Sequence, residues 1–471
     1  MRTVDKIYIN GEFVTPHGKE TLDIINPSNN QKIGEITLAD EVDTRNAIAA
    51  ARAAFKTFSK TTVEERISHL EKLKLEVEKR KKEFTDLMVE EYGGTFKFSS
   101  MSNEFTGQWF DSMIDSIKDF SFEETINSSK VFLQPVGVVG IITPWNASNA
   151  SVCSKVATAI SAGCTVVIKP SEMSALQTQM LMEAFHEAKL PKGVINFVTG
   201  LGNVVGTELT INPSVAKISF TGSTVVGKLI AKTAVDTMKR VTLELGGKSP
   251  NIILDDANLE EVIPIAVFGA YMNSGQACIA PTRLLVPESQ LEKINEIARA
   301  TAEQVVVGFP QNEYTNVGPM VSVKQFEKVQ NYIKIGLEEG ATLLVGGAGK
   351  PDRLEDGNFV KATIFTNVKN DMTIAQEEIF GPVLSIIPYK TEEEAIEIAN
   401  DTPYGLAAYV SSSDVKRAQK VASQIDAGRV CINGFSHDPM VPFGGFKQSG
   451  IGREYGVYGL EAYLEPKAVL Q

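Results

Sequence analysis

From Pro135 onward the chain alternates short apolar runs with helix-forming stretches, and this alternation limits its possible folds more than any other feature. "VGVVGIIT" (136–143), "TVVIKP" (165–170), "VINFVTG" (194–200), "AKISFTG" (216–222) and "VTLELGG" (241–247) read as strands. Between them, Ala150 to Ala162, Met173 to Lys189, a short piece near Val204 and Ser223 to about Ala234 read as helices. Strands joined by helices pair in parallel through crossover connections. The expected fold class is therefore α/β with a doubly wound parallel sheet, whose ligands bind beyond the carboxyl ends of the strands.

A second α/β stretch follows. It has helices near Glu260 to Asn273, Ser289 to about Val306, Val323 to Glu339 and in "TEEEAIEIAN"; "TRLLVP", "ATLLVGG", "ATIFTNV" and "VLSIIPY" read as strands. The Gly246–Gly247 pair closes the last strand of the first sheet and marks the main boundary. The first 120 residues read as mostly helical after a strand-rich start, and "SFEETINSSKVFLQ" as a linker or extended ribbon. A length of 471 residues exceeds one ordinary core, so two or three domains are expected.

Charge and cysteine usage exclude several classes. A net charge of -12 with no basic stripe argues against a nucleic-acid partner. No apolar run is long enough to span a bilayer and "MRTVDKIYINGEF" has no secretory h-region, so a cytoplasmic protein with no membrane partner is expected. Cys153, Cys164, Cys278 and Cys431 form no C-x-x-C pair and no His/Cys cluster, so neither a disulfide framework nor a metal site is expected.

Several residues then stand out, each with a structural alternative. Cys278 in "GQACIAPTR" is either a small buried residue or a nucleophile, which would need activation because a thiol of ordinary pKa is mostly protonated at neutrality. Glu244 in "LELGGKSP" is either a carboxylate capped by backbone amides or a buried general base of raised pKa. Asn146 in "PWNAS" is either an Asx-turn residue or an oxyanion donor. In "IKPSE", Lys169, Ser171 and Glu172 begin a helix; Glu172 also stands where an acidic group accepts the adenosine ribose hydroxyls and repels a 2′-phosphate. Gly222 and Ser223 in "FTGSTVVG" form either a capped turn or an anion site, and "GLGNVVG" (200–206) is a second such loop.

These motifs, with "EEIFGPV" (377–383) and "PFGGFKQSG" (442–450), occur in one order over nearly the full chain, which closely resembles the NAD(P)-dependent aldehyde dehydrogenase superfamily. The resemblance implies a cofactor-binding domain from 1–115 and 134–245, with 434–455 packing back on it. It also implies a catalytic domain from 246–433, and an oligomerisation ribbon and tail at 116–133 and 456–471. Cys278 is then the nucleophile, Asn146 and the Cys278 N–H the oxyanion hole, and Glu244 the base that activates the hydrolytic water. Trp145, Lys169, Ser171, Glu172, Gly222, Ser223, Glu378 and Phe380 fall to the cofactor, NAD in preference to NADP. The expected partners are a small-molecule aldehyde and further copies of the chain, as a homodimer or homotetramer. The alternatives are an NADP-preferring or CoA-acylating relative, against which Glu244 speaks, and a catalytically silent cofactor-binding scaffold.

The chain departs from the family around the aldehyde entrance. Ala147, Ser148, Ser151, Cys153 and Ser154 stand where relatives carry apolar bulk, and "GFSHDPMV" brings His437 and Asp438. An entrance wider and more polar than in enzymes of short aliphatic aldehydes is expected. No arginine is assigned to it, so a carboxylate-bearing aldehyde is not favoured and the substrate is left open.

Overall fold

The computed structural model describes residues 2–470. Met1 and Gln471, which begin the first expected domain and end the expected tail, lie outside the described residues. The first large sheet has eight strands in the order Gly450–Ile451, Arg240–Glu244, Val215–Thr221, Val138–Ile142, Thr165–Lys169, Ile195–Phe197, Ile7–Ile9, Glu12–Val14. The five middle strands are parallel, while the outer pairings are antiparallel. Because Val138–Ile142 lies between Thr165–Lys169 and Val215–Thr221, the winding reverses there, the position at which sheets of this kind take ligands at their carboxyl ends.

Alternation along each strand feeds two cores. Val139 and Ile141 pack into a cluster with Leu70, Phe110, Val156 and Ile160, while Val138 and Ile142 join Ala47, Ile48, Leu209 and Ile218 on the opposite face. Burial of both faces explains why these strands read as continuous apolar runs. The second large sheet repeats the scheme in the order Thr342–Val345, Thr363–Thr366, Val383–Tyr389, Arg283–Pro287, Pro250–Ile253, Ala407–Ser411, Arg429–Ile432. Among the described residues its only antiparallel pairing joins Thr342–Val345 to Thr363–Thr366. Ile252 and Leu285 face one core, Ile253 and Leu284 the other.

A three-stranded ribbon stands apart, with Ser129–Pro135 between Glu123–Ile126 and Leu464–Val469. The helix Phe96–Lys118 runs past 116, the expected start of the ribbon, because its apolar stripe through Trp109, Phe110, Met113 and Ile117 stays buried to its last turn. Within the segment 434–455, Gly450–Ile451 pairs with Leu243 and Glu244. The strands Pro250–Ile253, Ala407–Ser411 and Arg429–Ile432 differ from the sequence expectation, which named no strand there.

Candidate active site

The loop before Cys278 holds an unusual backbone. Asn273, Ser274 and Gly275 have φ of 52°, 58° and 72°, three successive left-handed residues. Such a run persists only where its surroundings hold it. The Tyr92 hydroxyl donates to Asn273 Oδ1 (2.9 Å), Gly318 N donates to Ser274 Oγ (2.8 Å) and Val321 N donates to Gln276 Oε1 (3.0 Å). A Cβ at Gly275 would sit 2.1 Å from the Gly381 carbonyl oxygen, so the glycine is required by both its φ and its close neighbour.

Asn146 is tied to this loop. Its Nδ2 donates to the Gln276 carbonyl at 2.8 Å, across 130 positions of chain, and Asn273 Nδ2 donates to the Asn146 carbonyl at 3.1 Å. An amide nitrogen has two hydrogens. One is spent on Gln276, two residues before Cys278; this bond fixes the amide plane and leaves the second hydrogen for another acceptor.

Cys278 is partly exposed, and its thiol is pushed up to about 12 by burial first and then by the charges of Glu378 and Glu244, against a downward pull from Arg429. Both carboxylates and the guanidinium therefore lie within electrostatic reach of the sulfur. Glu244 is 2 % exposed and neither carboxylate oxygen has a hydrogen-bond partner among the described residues. Its pKa stands well above the usual carboxylate range, through burial first and the nearby Glu454 second, with Lys155 and Arg453 opposing. Glu454 is itself held in a buried ion pair by Lys155, whose ammonium also donates to Ser219 Oγ at 3.2 Å. A Cβ at Gly444 would sit 2.7 Å from Glu244 Oε1, so the "PFGG" segment lies directly over the carboxylate.

Glu378 is more firmly held. Gly247 N donates to its Oε1 at 3.1 Å, and Lys328 Nζ donates to its carbonyl at 2.9 Å. Phe380, at φ 60°, meets Trp145 edge to face with ring centroids 5.4 Å apart.

The remaining expected residues line the carboxyl edge of the first sheet. Lys169 is buried and its ammonium donates to the Pro170 carbonyl and to Glu172 Oε2, both at 2.9 Å. Ser171 Oγ accepts from Met173 N at 3.2 Å. Gly222 N donates to the Glu244 carbonyl at 3.0 Å, and Ser223 caps the helix Thr224–Ala234 by accepting from Val226 N at 3.4 Å. On that helix Val225 and Leu229 are 79 % and 62 % exposed, an apolar surface beside the Gly222 loop. No hydrogen bond or ion pair among the described residues joins Lys169, Ser171, Glu172 or Ser223 to the group around Cys278.

The entrance differs from expectation. Cys153 is fully buried in the core below, and Ser148 and Ser154 are buried within their own helix, so of the small residues only Ala147 and Ser151 keep partial exposure. Helical phase turned these side chains inward. His437 sits edge-on against Phe105 and Trp109, with ring centroids 5.5 and 5.3 Å away, so aromatic rings form this wall. Lys155, Glu454, Tyr92, Asn273 and Arg429 were all missed, because nothing in their local sequence signals a shared site. No group of three or more His, Cys, Asp or Glu suited to a metal occurs among the described residues.

Comparison with known proteins adds to this geometry. A family profile described as "Aldehyde dehydrogenase family" matches residues 13–469. A Pseudomonas 3-succinoylsemialdehyde-pyridine dehydrogenase is 44% identical, with the match covering 100% of this chain and 99% of that protein. A mutant of aldehyde dehydrogenase C from Pseudomonas syringae, solved with NAD+ and octanal, superposes with a TM-score of 0.97 at 42% identity, covering 99% of this chain and 96% of that one. An aldehyde dehydrogenase from Mycobacterium tuberculosis, solved with NAD+, has a TM-score of 0.97 at 40% identity, covering 100% and 98%.

Proposed function

The chain belongs to the aldehyde dehydrogenase family, and from that premise we infer that it oxidises an aldehyde to the carboxylic acid with reduction of NAD. The observation that carries the residue assignment is the junction of the two sheets: a thiol, a half-committed amide and an unpartnered carboxylate, all at one place.

NAD fits the residues at the edge of the first sheet. Lys169 has used two of its three ammonium hydrogens, which leaves one for a ribose hydroxyl, and Glu172 offers acceptor oxygens beside it. The same carboxylate repels a 2′-phosphate. The capped N-terminus at Ser223 suits a pyrophosphate, and exposed Val225 and Leu229 suit the adenine face. Glu378 suits the second ribose, with Phe380 and Trp145 beside the nicotinamide.

The thiol rests protonated, so a base must take its proton as sulfur attacks. Solvent serves as that base, and Glu244 is kept for the later hydrolytic step. A carbon–sulfur bond forms, and the former carbonyl oxygen takes negative charge under the second amide hydrogen of Asn146 and the Cys278 N–H. When bound, NAD supplies the two-electron acceptor for the hydride leaving that carbon. The oxyanion then collapses to a thioester on Cys278. Glu244, its proton passed to solvent, deprotonates an attacking water, the carbon–sulfur bond breaks, and the acid departs as the thiol is regained.

Four free cysteines, one of them the reacting thiol, favour a reducing compartment, and we place the protein in the cytoplasm. No helix among the described residues is long and apolar enough to cross a membrane. The ribbon presents two open edges, with Ile126 and Val469 exposed, which supports assembly of further copies as a dimer or tetramer. A panel of chemically varied aldehydes with NAD, read by NADH absorbance and product analysis, tests the activity. Formation of acyl-CoA in place of the acid would refute it.

A further inference from the structure

We propose that Arg429 selects the substrate and that the aldehyde it selects carries a carboxylate at its far end. This rests on the reading of Cys278 as the nucleophile of an aldehyde-oxidising centre, and it names the substrate class that reading left open.

Arg429 opens the edge strand Arg429–Ile432 of the second sheet, and its charge reaches the Cys278 thiol. The side chains in direct contact with it are uncharged. The guanidinium lies over the Phe443 ring, 5.6 Å from the centroid, and Nη1 is 3.4 Å from His437 Nδ1. Loss of water around the His437 ring, reinforced by Arg429 itself, pushes that imidazole to about 4, so at neutral pH it adds no charge. The Tyr409 hydroxyl beside the guanidinium donates to the carbonyl of Ile279, the residue after Cys278, at 2.9 Å. The nearest acidic neighbour of the imidazole, Asp438, accepts from Met440 N at 2.8 Å and makes no ion pair with Arg429. No carboxylate among the described residues lies at ion-pair distance from this guanidinium, and its Nε is buried with no hydrogen-bond partner.

A partly buried cation without a counter-ion, its Nε closed off from water, is costly to hold, and the cost falls when an anion arrives. A guanidinium presents its donors in a planar fork that matches a carboxylate through two parallel hydrogen bonds. An alkyl tail would leave the fork unsatisfied, and a cationic tail would be repelled. The ligand chemistry that completes this site is therefore an oxo-acid, with its aldehyde at Cys278 and its carboxylate at Arg429.

The test uses the purified enzyme with saturating NAD and probes of matched shape: 4-oxobutanoate, its neutral isosteres 4-methylpentanal and 4-oxopentanal, and the longer 5-oxopentanoate. One of the oxo-acids should exceed 4-methylpentanal in kcat/KM by about 30-fold, the range of a charge-assisted hydrogen-bond pair. In Arg429→Met the ratio should collapse, mainly through KM for the oxo-acid, and Arg429→Lys should retain part of it. Because Arg429 also pulls on the thiol, both substrates will slow together, and the ratio removes that shared effect. An oxo-acid preference that survives both substitutions, or a wild-type enzyme that prefers 4-methylpentanal or 4-oxopentanal, would overturn the assignment. NADH formation from none of the four would instead defeat the parent reading, and this one with it.

Discussion

The cofactor edge and the Cys278 junction satisfy their polar groups in opposite ways. At the edge each side chain finds its partner within a few residues: Lys169 with Glu172, Ser171 with Met173, Ser223 with Val226. At the junction the groups come from distant segments, and the central carboxylate, Glu244, has no hydrogen-bond partner among the described residues. The edge is a stable platform whether or not a ligand is present. The junction stores unmet hydrogen-bonding capacity, and that capacity is what would suit its carboxylate to the proposed role of base.

The sharpest way to break this contrast is Glu244→Gln. Steady turnover should fall about 10³-fold, while a first burst of NADH persists in stopped-flow absorbance. Loss of burst and turnover together would move Glu244 to the attack step alone. The substitution should also stabilise. In the folded chain Glu244 keeps its proton at a pH where the unfolded chain, near 4.5, has lost it, so native stability falls as pH rises from there. The Tm advantage of Glu244→Gln over wild type should therefore grow as pH rises, whereas a flat difference would show Glu244 ionised in the fold.

Asn146→Ala should lower kcat by about 10²-fold, the effect of losing one oxyanion donor; a change under about threefold would remove Asn146 from that role. At the edge the expected effects are smaller and of another kind. Glu172→Ala should raise KM for NAD by about 10-fold with kcat nearly intact, and should narrow the preference over NADP. A matching fall in kcat would erase the distinction between platform and junction. Smallest is Glu454→Gln. Removing the charge that raises Glu244 should move the acid limb of the kcat–pH profile to lower pH, and an unmoved limb would uncouple the two carboxylates.

The same contrast explains what could be read in advance. "IKPSE" and "FTGSTVVG" pair with themselves, so their turns and caps are legible from neighbours in the chain. The apolar strands of the first sheet were legible because burial on both faces leaves a continuous run. Arg429–Ile432 escaped notice: it is short, and "RVCI" begins with a charge that argues against a strand until its partner is known. Cys153 was expected at the entrance and packs in the core, since a helix turn sends alternate small residues to opposite sides.

By itself, then, the sequence determined the strands and helices of the first sheet and the caps beside them, and named Cys278, Glu244 and Asn146 as candidate reactive groups, because these readings depend on residues a few positions apart. Only the tertiary structure decided that Glu244 is left without a partner, that Lys155 and Glu454 stand behind it, and that Arg429 reaches Cys278 without a counter-ion. The physical reason is that desolvation and charge coupling act through space, between segments that only the folded sheets bring together.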